Sequence, residues 1–296
     1  MSKLVDEIIK GRKVFFIAPD KSLIPESFLE EYLYIGYECY FIDSDKFLPV
    51  RVKVDIILSI FKDCIIFYNI DYPLSGDSWP DLIRDMHQKY PNDIMGVMYA
   101  KRQSAAEKSY IEKTYLFDIG LRAGCIALEY QKKNNFGLIE KFLFANQAMG
   151  RRKSVRAVCR SNCSFQFKDK NGSLIAGKLA DISISHFSFI LPTNYDAETA
   201  DFSRVEDIAF IIKGTHMRND AVVFTTRQVE EGTLYVMAFA TRDGQSGLTT
   251  LNKQIMIPKL YEIMQENTLE LLSKLFQATH ERRQKSSTPT LPEEEQ

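Results

Sequence analysis

Long apolar runs, paired cysteines and an excess of either charge are all missing from this 296-residue chain. No uninterrupted apolar stretch approaches the roughly 20 residues that a membrane helix needs, so no membrane insertion is expected. Lys plus Arg number 38 and Asp plus Glu 39, a formal charge of -1, so no global field draws the chain to a nucleic acid polymer or an anionic surface. The five cysteines (Cys39, Cys64, Cys125, Cys159, Cys163) form no CxxC pair, and an odd count fits a secreted disulfide framework poorly. They read as reduced thiols of a cytoplasmic protein. Cys159 and Cys163 would stand roughly 13 Å apart on an extended strand, too far for one metal ion. The four histidines (His87, His186, His216, His280) show no HExxH or HxH spacing, so neither a metal nor a cofactor is expected. The N-terminal MSKLVDEIIKGRK holds two acids and no small-residue cleavage site, unlike a secretory leader.

What is present is enough apolar sequence for two cores: 45% hydrophobic residues with 26% charged. The first half alternates short apolar runs with amphipathic ones. Strands are expected at Val14 to Ile17, Cys39 to Ile42, Cys64 to Tyr68, Ile94 to Tyr99 and Cys125 to Glu129. Helices are expected at Ser27 to Gly36, Val52 to Phe61, Trp79 to Lys89 and Phe136 to Met149. The continuous apolar run at Cys64 to Tyr68 suits a central strand covered on both faces. Together these predict a doubly wound five-stranded parallel sheet, order 2-1-3-4-5, over residues 1–149.

The period changes from 3.6 to 2 at Gly150. Short β-forming runs follow at Val155 to Arg160, Cys163 to Phe167, Leu174 to Ile182, Phe187 to Leu191, Ile208 to Ile212, Ala221 to Gln228 and Thr233 to Ala240. Their spacing predicts an antiparallel barrel over 150–279. An amphipathic helix from Pro258 to Gln277 closes it, with Leu260, Ile263, Met264, Leu271 and Leu275 on the apolar side. Residues 280–296 are polar and Pro-bearing, and are expected to be disordered.

Residues 150–160 concentrate five cations in eleven positions. Asp181-Ile182-Ser183 comes 25 residues after Arg156. Arg152-Lys-Ser-Val-Arg156 followed by Asp181-x-Ser183, within a small barrel, resembles the PilZ domain. That family binds cyclic di-GMP through RxxxR and (D/N)xSxxG. The resemblance covers about a third of the chain. It implies a six-stranded barrel with a closing helix and a ligand site made by Arg151, Arg152, Arg156, Asp181, Ser183 and His186. Position 186 is where the family has glycine; a histidine there tolerates a left-handed backbone, and its ring could stack on a guanine or block the pocket. The chemistry agrees with binding. A planar guanidinium takes a guanine edge bidentately or clamps a phosphate, and residues two apart on a strand share a face.

The first half looks like a receiver domain by pattern only. Its first strand ends Ile17-Ala18-Pro19, leaving Asp20 as the one nearby acid, and the third places Asn69 where receivers carry the phosphorylated Asp. An amide forms no acyl phosphate, so a pseudo-receiver used for contact is expected, with Asp71 as a displaced acceptor the rival. The leading reading is therefore a non-enzymatic cyclic di-GMP receptor. In it, ligand binding alters the interdomain arrangement and exposes a surface for an unidentified protein partner, with motility or adhesion as outputs. The alternatives are a phospho-switched signalling protein and a scaffold whose barrel no longer binds nucleotide.

Overall fold

The computed structural model describes residues 3–150, 154–160, 162–169, 171–192 and 204–287. Five strands form a wholly parallel sheet: β1 (Val14–Ile17), β2 (Cys39–Ile42), β3 (Ile65–Asn69), β4 (Ile94–Tyr99) and β5 (Gly124–Ala127), in the order β2-β1-β3-β4-β5. Alternate side chains enter different cores because successive residues of a strand face opposite ways. Phe15, Tyr40, Ile66 and Tyr68 meet the helices α3 (Val50–Ile60) and α4 (Trp79–Lys89) on one face. Phe16, Phe41, Ile65 and Phe67 meet α2 (Ser27–Tyr34) and α6 (Lys132–Ala145) on the other. A short α1 (Lys3–Ile8) precedes β1, and α5 (Ala105–Glu112) with a wider-wound turn (Lys113–Asp118) joins β4 to β5. Neither α1 nor α5 is among the elements expected from the sequence, and α6 begins four residues before the expected Phe136.

The second half holds seven strands: β6 (Arg156–Val158), β7 (Cys163–Lys168), β8 (Leu174–Ser183), β9 (His186–Leu191), β10 (Arg204–Ile212), β11 (Thr215–Val229) and β12 (Gly232–Ala240). Six of them close an antiparallel ring, β8-β7-β10-β11-β12-β9, with β9 pairing back onto β8. The seventh, β6, pairs with the last residues of β8. Phenylalanines 165, 187, 189, 210 and 239 fill the ring. This is the α/β plus six-stranded barrel architecture that the resemblance implies.

The closing helix departs from expectation. It is α7 (Thr250–Ser287), 38 residues long, with Pro258 inside it. Proline removes one helical hydrogen bond, but Gln254, whose carbonyl loses its partner, is exposed, so the freed carbonyl can meet water. The helix also serves two cores. Met256, Leu260, Ile263 and Met264 plug the barrel, whereas Leu272, Leu269, Leu271 and Phe276 pack into the α/β core. Leu271, expected on the barrel side, therefore belongs to the other domain. The stretch from 280, expected to be disordered, continues as helix through Ser287; residues 288–296 lie outside the described residues.

Polar contacts fix the crossing. Thr268 on α7 donates to the Tyr40 hydroxyl at 3.0 Å, and Tyr40 donates to Glu38 Oε1 at 2.6 Å. Lys13 forms an ion pair with the same carboxylate, and the two side chains are only 4% and 10% exposed. Removing one partner of a buried pair leaves an uncompensated charge. Lys13→Met is expected to lower unfolding stability by about 3–5 kcal/mol, read from the shift of a chemical denaturation curve. A shift below about 1 kcal/mol, the range of exposed pairs, contradicts the burial.

Candidate ligand site at the domain seam

Strand register decides which site residues meet. On β6 and β8, Arg156 lies opposite Ser183, Ala157 opposite Ile182 and Val158 opposite Asp181. Directly opposed residues share a face. Ala157 and Ile182 enter the barrel core, so Arg156, Asp181 and Ser183 face outward. Arg156 Nε stands 3.5 Å from Asp181 Oδ1, with both side chains partly open to solvent. Two residues 25 apart in sequence are thus side by side.

This pair borders a cavity of about 800 Å³ between the domains, within the size range of small-molecule sites. Ser154, Arg156 and Asp181 line one wall; Arg12, Lys62 and Tyr40 belong to the other, and Thr268 of α7 lies between. Arg12 donates to the carbonyls of Asn146 and Gln147, both at 3.1 Å, and pairs with Asp63. Those contacts tie down the chain leaving α6, so Gly150 reaches the cavity wall beside Arg12. Its φ of +65°, together with an approach of 3.3 Å to the Arg12 side chain for any added Cβ, explains the glycine. Arg151 and Arg152 lie outside the described residues.

Ser183 differs from its expected part. It is buried, and its hydroxyl accepts from the backbone N–H of Ser185 and His186 at 3.3 and 3.0 Å while donating to the His186 carbonyl at 3.0 Å. A hydroxyl has one proton and two lone pairs, and here the turn uses all three. Ser183 therefore shapes the β8–β9 turn instead of offering a free hydroxyl. The turn also disposes of the glycine question: His186 is the first residue of β9 and has no positive φ, so this backbone does not call for glycine. Its ring is not part of the cavity lining; it meets Phe224 edge-on at 5.0 Å between centroids, with Nδ1 at 2.9 Å from Ser185 Oγ.

Burial first, and then the Arg156 charge, hold the His186 imidazole below its ordinary pKa, opposed by Asp181. The neutral ring is the form the fold prefers. Stability linked to it is complete above the ordinary imidazole range and falls as pH drops towards the lowered value.

Cys159 and Cys163 need a correction as well. Cys159 follows β6 and Cys163 opens β7, so the two buried thiols lie in one core on separate segments, not along one extended strand. Among the described residues no group of three His, Cys, Asp or Glu side chains could hold a metal ion. In the α/β half, Asn69 ties β3 to β1 by donating to the Ala18 carbonyl at 2.8 Å. One oxygen of Asp71 accepts from the backbone of Ala100 and Lys101 at 2.5 and 2.8 Å, a clasp on the loop after β4.

Phe224, Ser188, Lys62 and Thr268 are site neighbours that sequence reasoning did not single out. Only Phe224 leaves a trace there, as a large aromatic within a β-forming run. No family model matches the chain, and no curated protein is similar to it. Among solved structures it is similar to the PilZ domain with c-di-GMP of YcgR from Escherichia coli, at 16% identity and a TM-score of 0.33, over 42% of this chain and 98% of that one. It is also similar to the K. pneumonia MrkH–c-di-GMP complex, at 16% identity and a TM-score of 0.32, over 40% of this chain and 53% of that one. A signal receiver domain of an HD domain-containing protein from Pseudomonas fluorescens Pf-5 aligns at 9% identity and a TM-score of 0.34, over 47% of this chain and 99% of that one. The chain thus spans about half of MrkH but nearly all of the isolated domains. No helix among the described residues is long and apolar enough to cross a membrane.

Nuclear magnetic resonance titration of His186 tests the local electrostatics. Its midpoint is expected below about 6.5, the unperturbed imidazole value, and should rise in Arg156→Ala. An unmoved midpoint in that variant would remove Arg156 from the neighbourhood of the ring.

Proposed function

We propose that the protein is a non-enzymatic receptor for cyclic di-GMP, which binds at the domain seam. The observation that supports this most is the outward-facing Arg156–Asp181 pair at the edge of the interdomain cavity. Cyclic di-GMP is a dianion carrying two guanines. A guanidinium can clamp a phosphate or take the O6/N7 edge of a guanine, and a carboxylate accepts from guanine N–H groups. Arg151 and Arg152 are assigned to the same ligand from the sequence motif, with Ser183 and His186 shaping the turn beneath it. The Arg156–Asp181 pair supplies recognition and charge, and it contains no nucleophile set against a base. Neither a metal nor a cofactor is required, and the near-zero net charge disfavours a nucleic acid polymer as partner.

The output follows from the position of the site. Ligand in the cavity touches both domains, so its differential affinity for two domain arrangements is what can move them. Because α7 is embedded in both cores, that movement is a tilt about the helix rather than a separation. The tilt alters a surface that a protein partner reads, with motility or adhesion as downstream processes, in a cytoplasmic setting.

Calorimetric titration of the full chain with cyclic di-GMP is the test. Wild type should bind, and Arg156→Ala and Asp181→Ala should each weaken binding by about 1.5–3 kcal/mol, roughly ten- to hundredfold. A wild type that fails to bind sinks the receptor and favours a scaffold with a silent barrel. Small-angle scattering at saturation should differ from that of the free chain. Superimposable profiles would remove the tilt and leave the binding intact.

A further inference from the structure

Beyond the Arg156–Asp181 pair, the same outer face of the barrel carries an aromatic group that contributes little to the fold. The register runs Asp181 on β8 to Ser188 on β9, then to Val236 on β12 and Thr225 on β11. Phe187 and Met237 point into the core, so His186 and Ser188, with Val236 and Ala238 beside them, face out. The ladder between β11 and β12 slips between Val223 and Thr225. Phe224 is the extra residue at this bulge, a device that re-aims a side chain. Its ring reaches towards β9 and meets His186 edge-on, with an interplanar angle of 78°, yet Phe224 remains 68% exposed.

Core packing does not account for a phenylalanine this open. The other polar group of the strip is equally unusual. Ser188 is 1% exposed, and its hydroxyl has no hydrogen-bond partner among the described residues, although the turn satisfies Ser183 fully. An orphaned hydroxyl beside Asp181 and an exposed ring braced by His186 therefore lie on one strip, next to a charged pair.

We infer that Phe224, braced by His186, is a stacking platform for one purine of the ligand, on the barrel face beyond the Arg156–Asp181 pair. The inference rests on the receptor reading and extends it. A two-fold symmetric cyclic dinucleotide carries its bases on either side of a charged centre. Centred on Arg156 and Asp181, it has the interdomain cavity on one side for one base and the Phe224 ring on the other for the second. The T-shaped contact leaves a face of Phe224 free, which is the geometry a stacked base needs. A neutral imidazole braces that ring without adding a further cation beside Arg156. His186 thus acts as a positioning residue through Phe224.

The test uses the full chain and cyclic di-GMP. Phe224→Ala is expected to weaken binding roughly five- to hundredfold, and Phe224→Trp to stay within about threefold of wild type, because any aromatic face stacks. Phe224 is exposed, so both variants should keep the parental melting curve. The chain has one tryptophan, Trp79, buried in the α/β core, so a saturable change in emission specific to Phe224→Trp reports stacking directly. Wild-type affinity in Phe224→Ala, or a silent Phe224→Trp signal at saturation, overturns the platform while the Arg156 variant still tests the receptor. A wild type that does not bind overturns both.

Discussion

Leu260 and Leu272 sit on one continuous helix, roughly 18 Å apart along its axis, yet in two different hydrophobic cores. That double burial is the constraint on which the rest of the molecule depends. A barrel joined to an α/β domain only through Gly150 and the residues after it would take many orientations, and the space between them would have no fixed shape. With α7 inserted into both cores, sliding either domain along the helix exposes leucine and methionine side chains. Each such side chain is worth about 1.5–3 kcal/mol when buried. The cavity at the seam is consequently bounded by walls that the hydrophobic effect holds in register.

The polar contacts across the seam supply direction where apolar packing supplies strength. Thr268, Tyr40, Glu38 and Lys13 form a chain from α7 to β1, and Asn267 donates to the Val158 carbonyl at 2.7 Å, so the helix also grips β6. Exposed pairs such as Arg160 with Glu270 add little. The buried Lys13–Glu38 pair is different: its desolvation is offset only in one geometry, so it selects a seat more than it strengthens one. Because Val158 is two residues from Arg156 on the same strand, the helix that joins the domains also helps to place the arginine at the cavity edge.

How much of this was legible in the sequence follows from which forces act locally. The parallel strands were legible because each is apolar on both faces, and Trp79 to Lys89 because its apolar stripe repeats at helical spacing. Arg156 and Asp181 were legible as a pair only through the motif, since no local rule relates residues 25 apart. Helix α5 was missed because its exposed surface erases the period: only Ile111 among its residues is buried. A capping box, Ser104 with Glu107, did mark its start. The extent of α7 was hidden by Pro258, a residue that more often opens a helix than sits inside one. Phe224 and the two thiols depend on a bulge and a strand crossing, which are properties of pairing and not of composition.

The Arg156–Asp181 contact itself explains why such a site can be both prepared and open. At 3.5 Å and partly exposed, the pair contributes little to stability, so redirecting the guanidinium to a phosphate forfeits little. Yet the carboxylate holds the guanidinium at the cavity edge, which removes part of the rotamer entropy that binding would otherwise cost. Once the guanidinium turns to the ligand, Asp181 regains acceptor capacity for N–H groups of a base. A weak pair is thus the better arrangement here. A buried, multiply bonded one, like Lys13 with Glu38, would hold its arginine too firmly to exchange partners.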